Sequence, residues 1–279
     1  MKVTFATHAG HPNRPNEDWL VATPQFVILL DGAGGPSEDG GGCIHGVAWF
    51  VRNLGAELLG ALTRSPDDDL RAGLATGLER TADLHRPTCD LHNEGTPSTT
   101  AIILRERPDT VDYLVISDST LVLDTVDGIE AVSDRRILEI DALREPRKVM
   151  HGFPLGSPEH AAARQAYIAV QRRFRNMTDG YWVASSDQAV SEAAIIGSIE
   201  RDRLRAAAVL SDGVADYIDD YHMATWREIL NTLQTHGPAA LIDQVRTAEQ
   251  GDPAGHRWPR FKTHDDATVA YCVFRSSQQ

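Results

Sequence analysis

Lysine is nearly missing from this sequence. Lys2, Lys148 and Lys262 are the only lysines in a basic complement of 27 that is otherwise arginine, a bias that reads as GC-rich coding DNA and a bacterial source and says nothing about function. Positive charge is short overall: 40 acidic residues face those 27, and the formal net charge is −13. A surface of that sign argues against nucleic acid or an anionic membrane as partner and suits divalent cations. Cysteine is scarce too. Cys43, Cys89 and Cys272 are odd in number and far apart, with no C-x-x-C pair for zinc or redox work, as expected of a reduced, cytoplasmic protein. No segment approaches ~18 uninterrupted apolar residues, and "MKVTFATHAG" lacks the apolar core of a secretion signal, so no membrane span is expected.

What is present is enough to build a core. With 279 residues and 42% hydrophobic content, the chain can bury about three quarters of its unfolded surface. Strand-like apolar runs cover 26–30, 99–104, 113–117, 181–184, 206–210 and 267–274, each short and bounded by turn residues. Between them, Ile44, Val47, Val51, Leu54, Leu58 and Leu62 make a helical stripe over 43–62, and a second helix through Leu70, Leu74 and Leu78 follows the acidic cap "SPDDD". Two further helices are expected over 222–236 and 238–250, the second opening on Pro238. Helix pairs alternating with groups of strands differ from the regular βαβ order of a parallel sheet. The expected fold class is therefore α+β, two antiparallel sheets with helix pairs outside them, in a single domain over 1–279. The region 133–178 is the least legible. A helix opening on Ser157-Pro158 would place Tyr167, Val170, Phe174 and Met177 on one face, beside Arg164, Arg172, Arg173 and Arg175. A solvated basic face is the main reading, a substrate-facing flap the other.

One pattern carries chemistry. The run "FVILLDGAGG" ends on Asp31 and continues in small residues; "YLVISDS" ends on Asp118, "AAAVLSDG" on Asp212, and Asp265 and Asp266 precede the last strand. Isolated buried carboxylates are costly, so several at strand ends call for cations or hydrogen bonds. Two hard divalent cations about 3.5–4 Å apart take such oxygen ligands and activate water against phosphorus. The bare turn after Asp31 leaves room for metal and water.

Taken in order, "NRPNEDW" (13–19), "LLDGAGG" (29–35), "PSTTA" (97–101), "ISDST" (116–120), "LSDGVAD" (210–216) and "HDDATV" (264–269) resemble the metal-dependent protein phosphatases of type 2C, as a divergent, bacterial-like member. The resemblance runs from about 13 to 274. It implies a β-sandwich flanked by paired helices with the active site at one end, and a protein serine/threonine phosphatase using two tightly bound Mn²⁺ or Mg²⁺ ions. By the same resemblance Asp31 bridges both metals, Gly32 offers its carbonyl and Glu17 a carboxylate to the second, and Asp212 with Asp265 holds the first. Asp18 orients metal-bound water, Arg14 binds phosphate, and Asp118, Asp212 and Asp216 take a weaker third ion. The implied partner is a phosphorylated protein; a small phosphoester, or a regulatory pseudophosphatase that binds a phosphoprotein, are the alternatives.

Three positions depart from the family pattern. Arg14 lies four residues before Asp18 where five is usual, with Asn13 in the fifth place; Ala33 stands where many members carry histidine or methionine; and Ser117 and Thr120 replace the usual residues around Asp118. His264 is expected in a surface or supporting role, His45 as a helix residue rather than a substitute acid, and "GGGC" (40–43) as a flexible linker rather than a phosphate loop.

Overall fold

The computed structural model describes residues 1–34 and 40–274, and among these the chain forms two antiparallel sheets. The first has the order β1 (Lys2–His8), β11 (Ala267–Val273), β10 (Leu204–Leu210), β7 (Thr120–Thr125), β8 (Ile129–Val132). The second runs β2 (Asp18–Ala22), β3 (Phe26–Ala33), β5 (Ala101–Glu106), β6 (Thr110–Ile116), β9 (Ile195–Glu200), with the short β4 (Ser98–Thr99) against the end of β3.

The apolar run of β3 is continuous because both of its faces are covered. Side chains alternate across a strand. Phe26, Ile28 and Leu30 therefore meet α1 (Val47–Arg64) and α2 (Leu70–His85), through Val51, Leu54, Leu58, Leu74 and Leu78. Val27 and Leu29 point the other way and join Leu121, Leu123, Ala207, Val209 and Cys272 between the two sheets. The outer face of the first sheet, with Ala208, Leu210 and Val269, is covered by α6 (Trp226–Thr235) and α7 (Pro238–Gly251) through Leu230, Leu233, Leu241 and Val245. The result is helix pair, sheet, sheet, helix pair, the expected α+β sandwich.

Helix boundaries follow their caps. Asp69 accepts from the Arg71 N–H at the start of α2, and Thr225 and Glu228 form a reciprocal capping box on α6. The first helix begins at Val47 rather than 43. Gly46 at φ 79° breaks the run, and Ile44, 75% exposed, lies outside the stripe assigned to it. Residues 181–184 are not a strand; Tyr181 and Ala184 make single bridges to Arg175 and Thr99.

The region 133–178 folds into α3 (Asp141–His151) and α4 (Pro158–Arg172), the latter capped by Ser157. Tyr167 packs with Ile137, Ile140, Leu143, Tyr181 and Val183 in a small core of its own. Met177 lies beyond α4 and is 54% exposed, so it leaves the predicted face. Between β10 and α6, α5 (Asp212–Asp219) starts directly at the end of its strand.

Candidate active site

The segments bearing the predicted acids meet at one end of the sandwich. β2 opens on Asp18 and β3 ends on Asp31, Gly32 and Ala33; antiparallel register sets Asp18 directly across from Asp31. Gly32 has no room for a side chain, since a Cβ there would lie 2.5 Å from both the Glu17 carbonyl oxygen and a Val47 methyl. Its N–H donates to that same carbonyl at 3.0 Å, fixing Glu17 beside the strand end. The Asp31 carbonyl accepts from the Thr100 N–H at 2.9 Å and from Thr99 Oγ1 at 2.8 Å.

From the other sheet, β10 delivers Asp212 as the first residue of α5, and its N–H donates to Asp31 Oδ2 at 3.3 Å. A helix start leaves such donors unpaired and favours a carboxylate there. Asp216 lies one turn further along the same helix face. Asp265, just ahead of β11, accepts from Lys262 Nζ at 2.6 Å and from the Asp266 N–H at 2.8 Å. Asp118 follows β6 on a turn where Ser117 takes φ 68°, and the Ser117 hydroxyl donates to it at 3.1 Å.

The electrostatics join these groups into one cluster. Asp31 is pushed well above the usual carboxylate range, first by loss of solvent and then by the charges of Asp18, Asp265 and Asp118. Loss of solvent, followed by Asp31, Asp265 and Asp118, raises Asp212 in the same way; for Asp216 the leading charge after desolvation is Asp212. Burial lifts Asp18 to about 7, with Asp212 and Asp266 adding to it and hydrogen bonds from Thr268 and Ser211 opposing it. Glu17 is raised as well, mainly by desolvation. Such mutual repulsion is the signature of carboxylates held together by the fold.

These residues fit divalent cations. Their donors are all oxygen, they come from strand and helix ends and the turns beside them, and among the described residues Asp18 Oδ2 is buried with no hydrogen-bond partner. Hard cations such as Mn²⁺ and Mg²⁺ take this donor set.

Two contributors escaped the sequence reading. Asp266 accepts from the Gly10 N–H at 2.7 Å and the Glu17 N–H at 2.6 Å, pinning the first motif to the last. Lys262 brings a cation to the cluster; burial alone would depress its pKa, but Asp265, Asp212 and Asp31 outweigh that and hold it above the ordinary lysine value. The adjacent acids at 265 and 266 were the available signal for the first, and Lys262 three residues before Asp265 for the second.

Arginines sort unequally. Arg14 is exposed, and its charge acts on Glu17. Arg175 is committed elsewhere, donating to the carbonyls of Thr96 at 2.7 Å and Glu94 at 3.3 Å, so it belongs to neither a solvated face nor a phosphate site. From α3, Arg147 acts on Asp118 and donates to the Tyr167 hydroxyl at 3.3 Å. His264 Nδ1 pairs with Glu249 at 2.7 Å, a supporting position as expected. Residues 40–42 form a short turn in which Gly41 takes φ 63°, and the Gly42 carbonyl accepts from the Asp90 N–H at 2.8 Å. Gly35, the last residue of the second motif, lies outside the described residues.

The fold is that of bacterial serine/threonine phosphatases of known structure. The serine/threonine phosphatase PstP/Ppp of Mycobacterium tuberculosis aligns over 99% of both chains at 16% identity, with a TM-score of 0.59. The PstP catalytic domain in complex with two manganese ions aligns over 98% of each chain at 17% identity and TM-score 0.58. Stp1 of Staphylococcus aureus covers 99% of this chain and 95% of its own at 15% identity and TM-score 0.54. No protein-family model and no curated relative matches the sequence. At these identities the likeness establishes the fold, and the function rests on the site.

Proposed function

We propose that this chain is a metal-dependent protein serine/threonine phosphatase acting as a single domain, which cleaves phosphoserine or phosphothreonine by direct attack of water. The observation that carries this reading is the convergence of Glu17, Asp18, Asp31, Asp212 and Asp265 from both sheets onto one end of the sandwich. The resemblance in motif order and the manganese-bound PstP neighbour support it.

In this reading Asp31, Asp212, Asp265, Glu17 and the Gly32 carbonyl would hold two Mn²⁺ or Mg²⁺ ions. When bound, such ions lower the pKa of water and draw charge from the phosphoryl oxygens. Asp18 Oδ2, buried and without a partner among the described residues, is set to accept a hydrogen bond from the attacking water. Arg14, exposed beside Glu17, binds the phosphate at the rim. Asp118 and Asp216, with Asp212, form a place for a weaker third ion. No cysteine or serine nucleophile is required.

No helix among the described residues is long and apolar enough to cross a membrane, and the three free cysteines suit a reducing, cytoplasmic setting. Phosphate release from a phosphopeptide panel, from phosphorylated small molecules and from an aryl phosphate, each with and without Mn²⁺, tests the proposal. Mn²⁺-dependent turnover with phosphopeptides preferred supports it. Turnover of small phosphoesters alone moves the substrate, and no turnover of any substrate overturns the enzyme.

A further inference from the structure

We propose that Cys43, His45, His85 and Cys89 bind a single zinc ion at a structural site separate from the acidic cluster. Their ligand atoms all lie within 4.8 Å of one another. Cys43 Sγ is 3.6 Å from Cys89 Sγ, 3.7 Å from His45 Nδ1 and 3.5 Å from His85 Nδ1; Cys89 Sγ is 3.3 Å from His45 Nδ1. With Zn–S near 2.3 Å and Zn–N near 2.0–2.1 Å, the edges of a tetrahedral site are roughly 3.8 Å between sulfurs and roughly 3.6 Å between sulfur and nitrogen. Four of the six edges thus match a zinc tetrahedron, and the other two are no longer than 4.8 Å. Two sulfurs and two imidazoles form the donor set that selects zinc over the hard cations suited to Asp31, and two thiolates balance the ion's charge.

The rings are already held in place. His45 stacks on Trp49 at 4.1 Å, and His85 meets Trp49 edge-on at 4.5 Å and Phe50 at 5.6 Å. His85 is buried; among the described residues its Nε2 has no hydrogen-bond partner, and its ring engages the cluster through Nδ1. The backbone N–H of His45 points at Cys43 Sγ at 3.4 Å, a contact that supports a thiolate. Cys43, His45 and Cys89 remain half-exposed and give the ion a way in.

The placement gives the site a purpose. Cys43 and His45 lie between β3 and α1, while His85 ends α2 and Cys89 starts the segment leading to β4. One ion would join the chain leaving Asp31 and Gly32 to the chain entering Thr99 and Thr100, which hold the Asp31 carbonyl. It would brace the end of β3 from behind. In sequence the signature is C-x-H with H-x-x-x-C forty residues on.

The test uses the full chain, purified anaerobically in chelator-free buffer, with metal content, thiol titration and melting temperature measured together. One zinc per chain, carried through purification or taken up from one added equivalent, is expected. The Cys43→Ser/Cys89→Ser pair should fall to background zinc and melt lower, while Asp31→Asn keeps its zinc, which separates this site from the catalytic reading. Because the serine pair can fail to fold, Co²⁺ is also added to the unaltered protein. Sulfur-to-cobalt charge transfer with the intense visible bands of tetrahedral cobalt supports the assignment. A protein that takes up neither zinc nor cobalt at this set, a Cys43–Cys89 disulfide in the fresh protein, or zinc lost with Asp31→Asn but kept in the serine pair overturns it.

Discussion

Asp18 and Asp31 face each other across the β2–β3 pair. Asp31 shares the strand face of Val27 and Leu29, which point between the sheets, so both carboxylates emerge at the end of the inter-sheet core. There Ser211 and Thr268 of the opposite sheet reach Asp18. A slip of one residue in this register would turn the pair outward and dismantle the site.

Asp266 ties Gly10 and Glu17 to the start of β11 through two backbone hydrogen bonds. Asp266→Ala should cost about 2 kcal/mol of stability, allowing for relief of repulsion, and should weaken Mn²⁺ binding because Glu17 is released. Urea unfolding and Mn²⁺ calorimetry read both effects; unchanged Mn²⁺ affinity would remove Asp266 from the support of the site.

Arg14 stands in a shifted register, yet it is exposed beside Glu17, and a long side chain can absorb one residue of displacement. Arg14→Ala should raise KM about 10-fold through loss of a charge-assisted bond to phosphate, with kcat little changed. An unaltered KM excludes Arg14. Arg175, spent on carbonyls, is not a substitute, whereas Arg147 beside Asp118 is the next arginine to replace.

Asp118→Ala and Asp216→Ala should leave the fold and the two tight ions in place while slowing turnover. Calorimetry with Mn²⁺ should lose only its weakest event in each variant. Loss of tight binding in either would mean that the acids are divided differently between the ions.

Asp112 offers a pH test away from the site. Burial alone would raise its pKa, but hydrogen bonds from Ser198 and Arg105 and the charges of Arg105 and Arg107 prevail and hold it below 3.8. A depressed folded pKa means that the stabilisation is fully present above the unfolded value and lost as pH falls through the folded one. Asp112→Asn, which strips the buried Arg105 of its carboxylate at 2.9 Å, should cost roughly 3 kcal/mol at pH 7. The difference from the unaltered protein should shrink as the pH falls below the ordinary aspartate value and through the lowered folded one. Urea unfolding over that range checks it, and a gap that stays constant would contradict the pairing.

Much of the sandwich was readable because most central strands are apolar on both faces: β3, β5, β6, β10 and β11 were found. Of the overlooked strands, β1, β2, β8 and β9 are the four sheet edges, where an open face admits polar residues and erases the run, as in the alternating burial of β9; β7, central and buried, was missed as well. Acids at strand ends were legible for the same reason as the strands. The cation at Lys262 and the clamp at Asp266 were not, because each depends on loops that only the folded chain brings together. The thiol and imidazole cluster stayed hidden because its halves lie at 43–45 and 85–89 and neither holds a C-x-x-C pair. In the 133–178 region α3 contains Pro146 and buries only Leu143 and Met150, too thin a stripe to show as a period.

The most direct test of the two-metal reading is Asp31→Asn, measured by phosphopeptide turnover and by the shift in melting temperature on adding Mn²⁺. An amide removes the charge that both ions share and cannot bridge them, so hydrolysis should fall by at least ~10³-fold. Without metal the variant should fold and melt no lower than the unaltered protein, since repulsion from Asp18, Asp265 and Asp118 is relieved. Mn²⁺ should raise the melting temperature of the unaltered protein and barely move that of the variant. Turnover near the unaltered rate, or an equal Mn²⁺ shift in both proteins, would contradict the two-metal centre at Asp31.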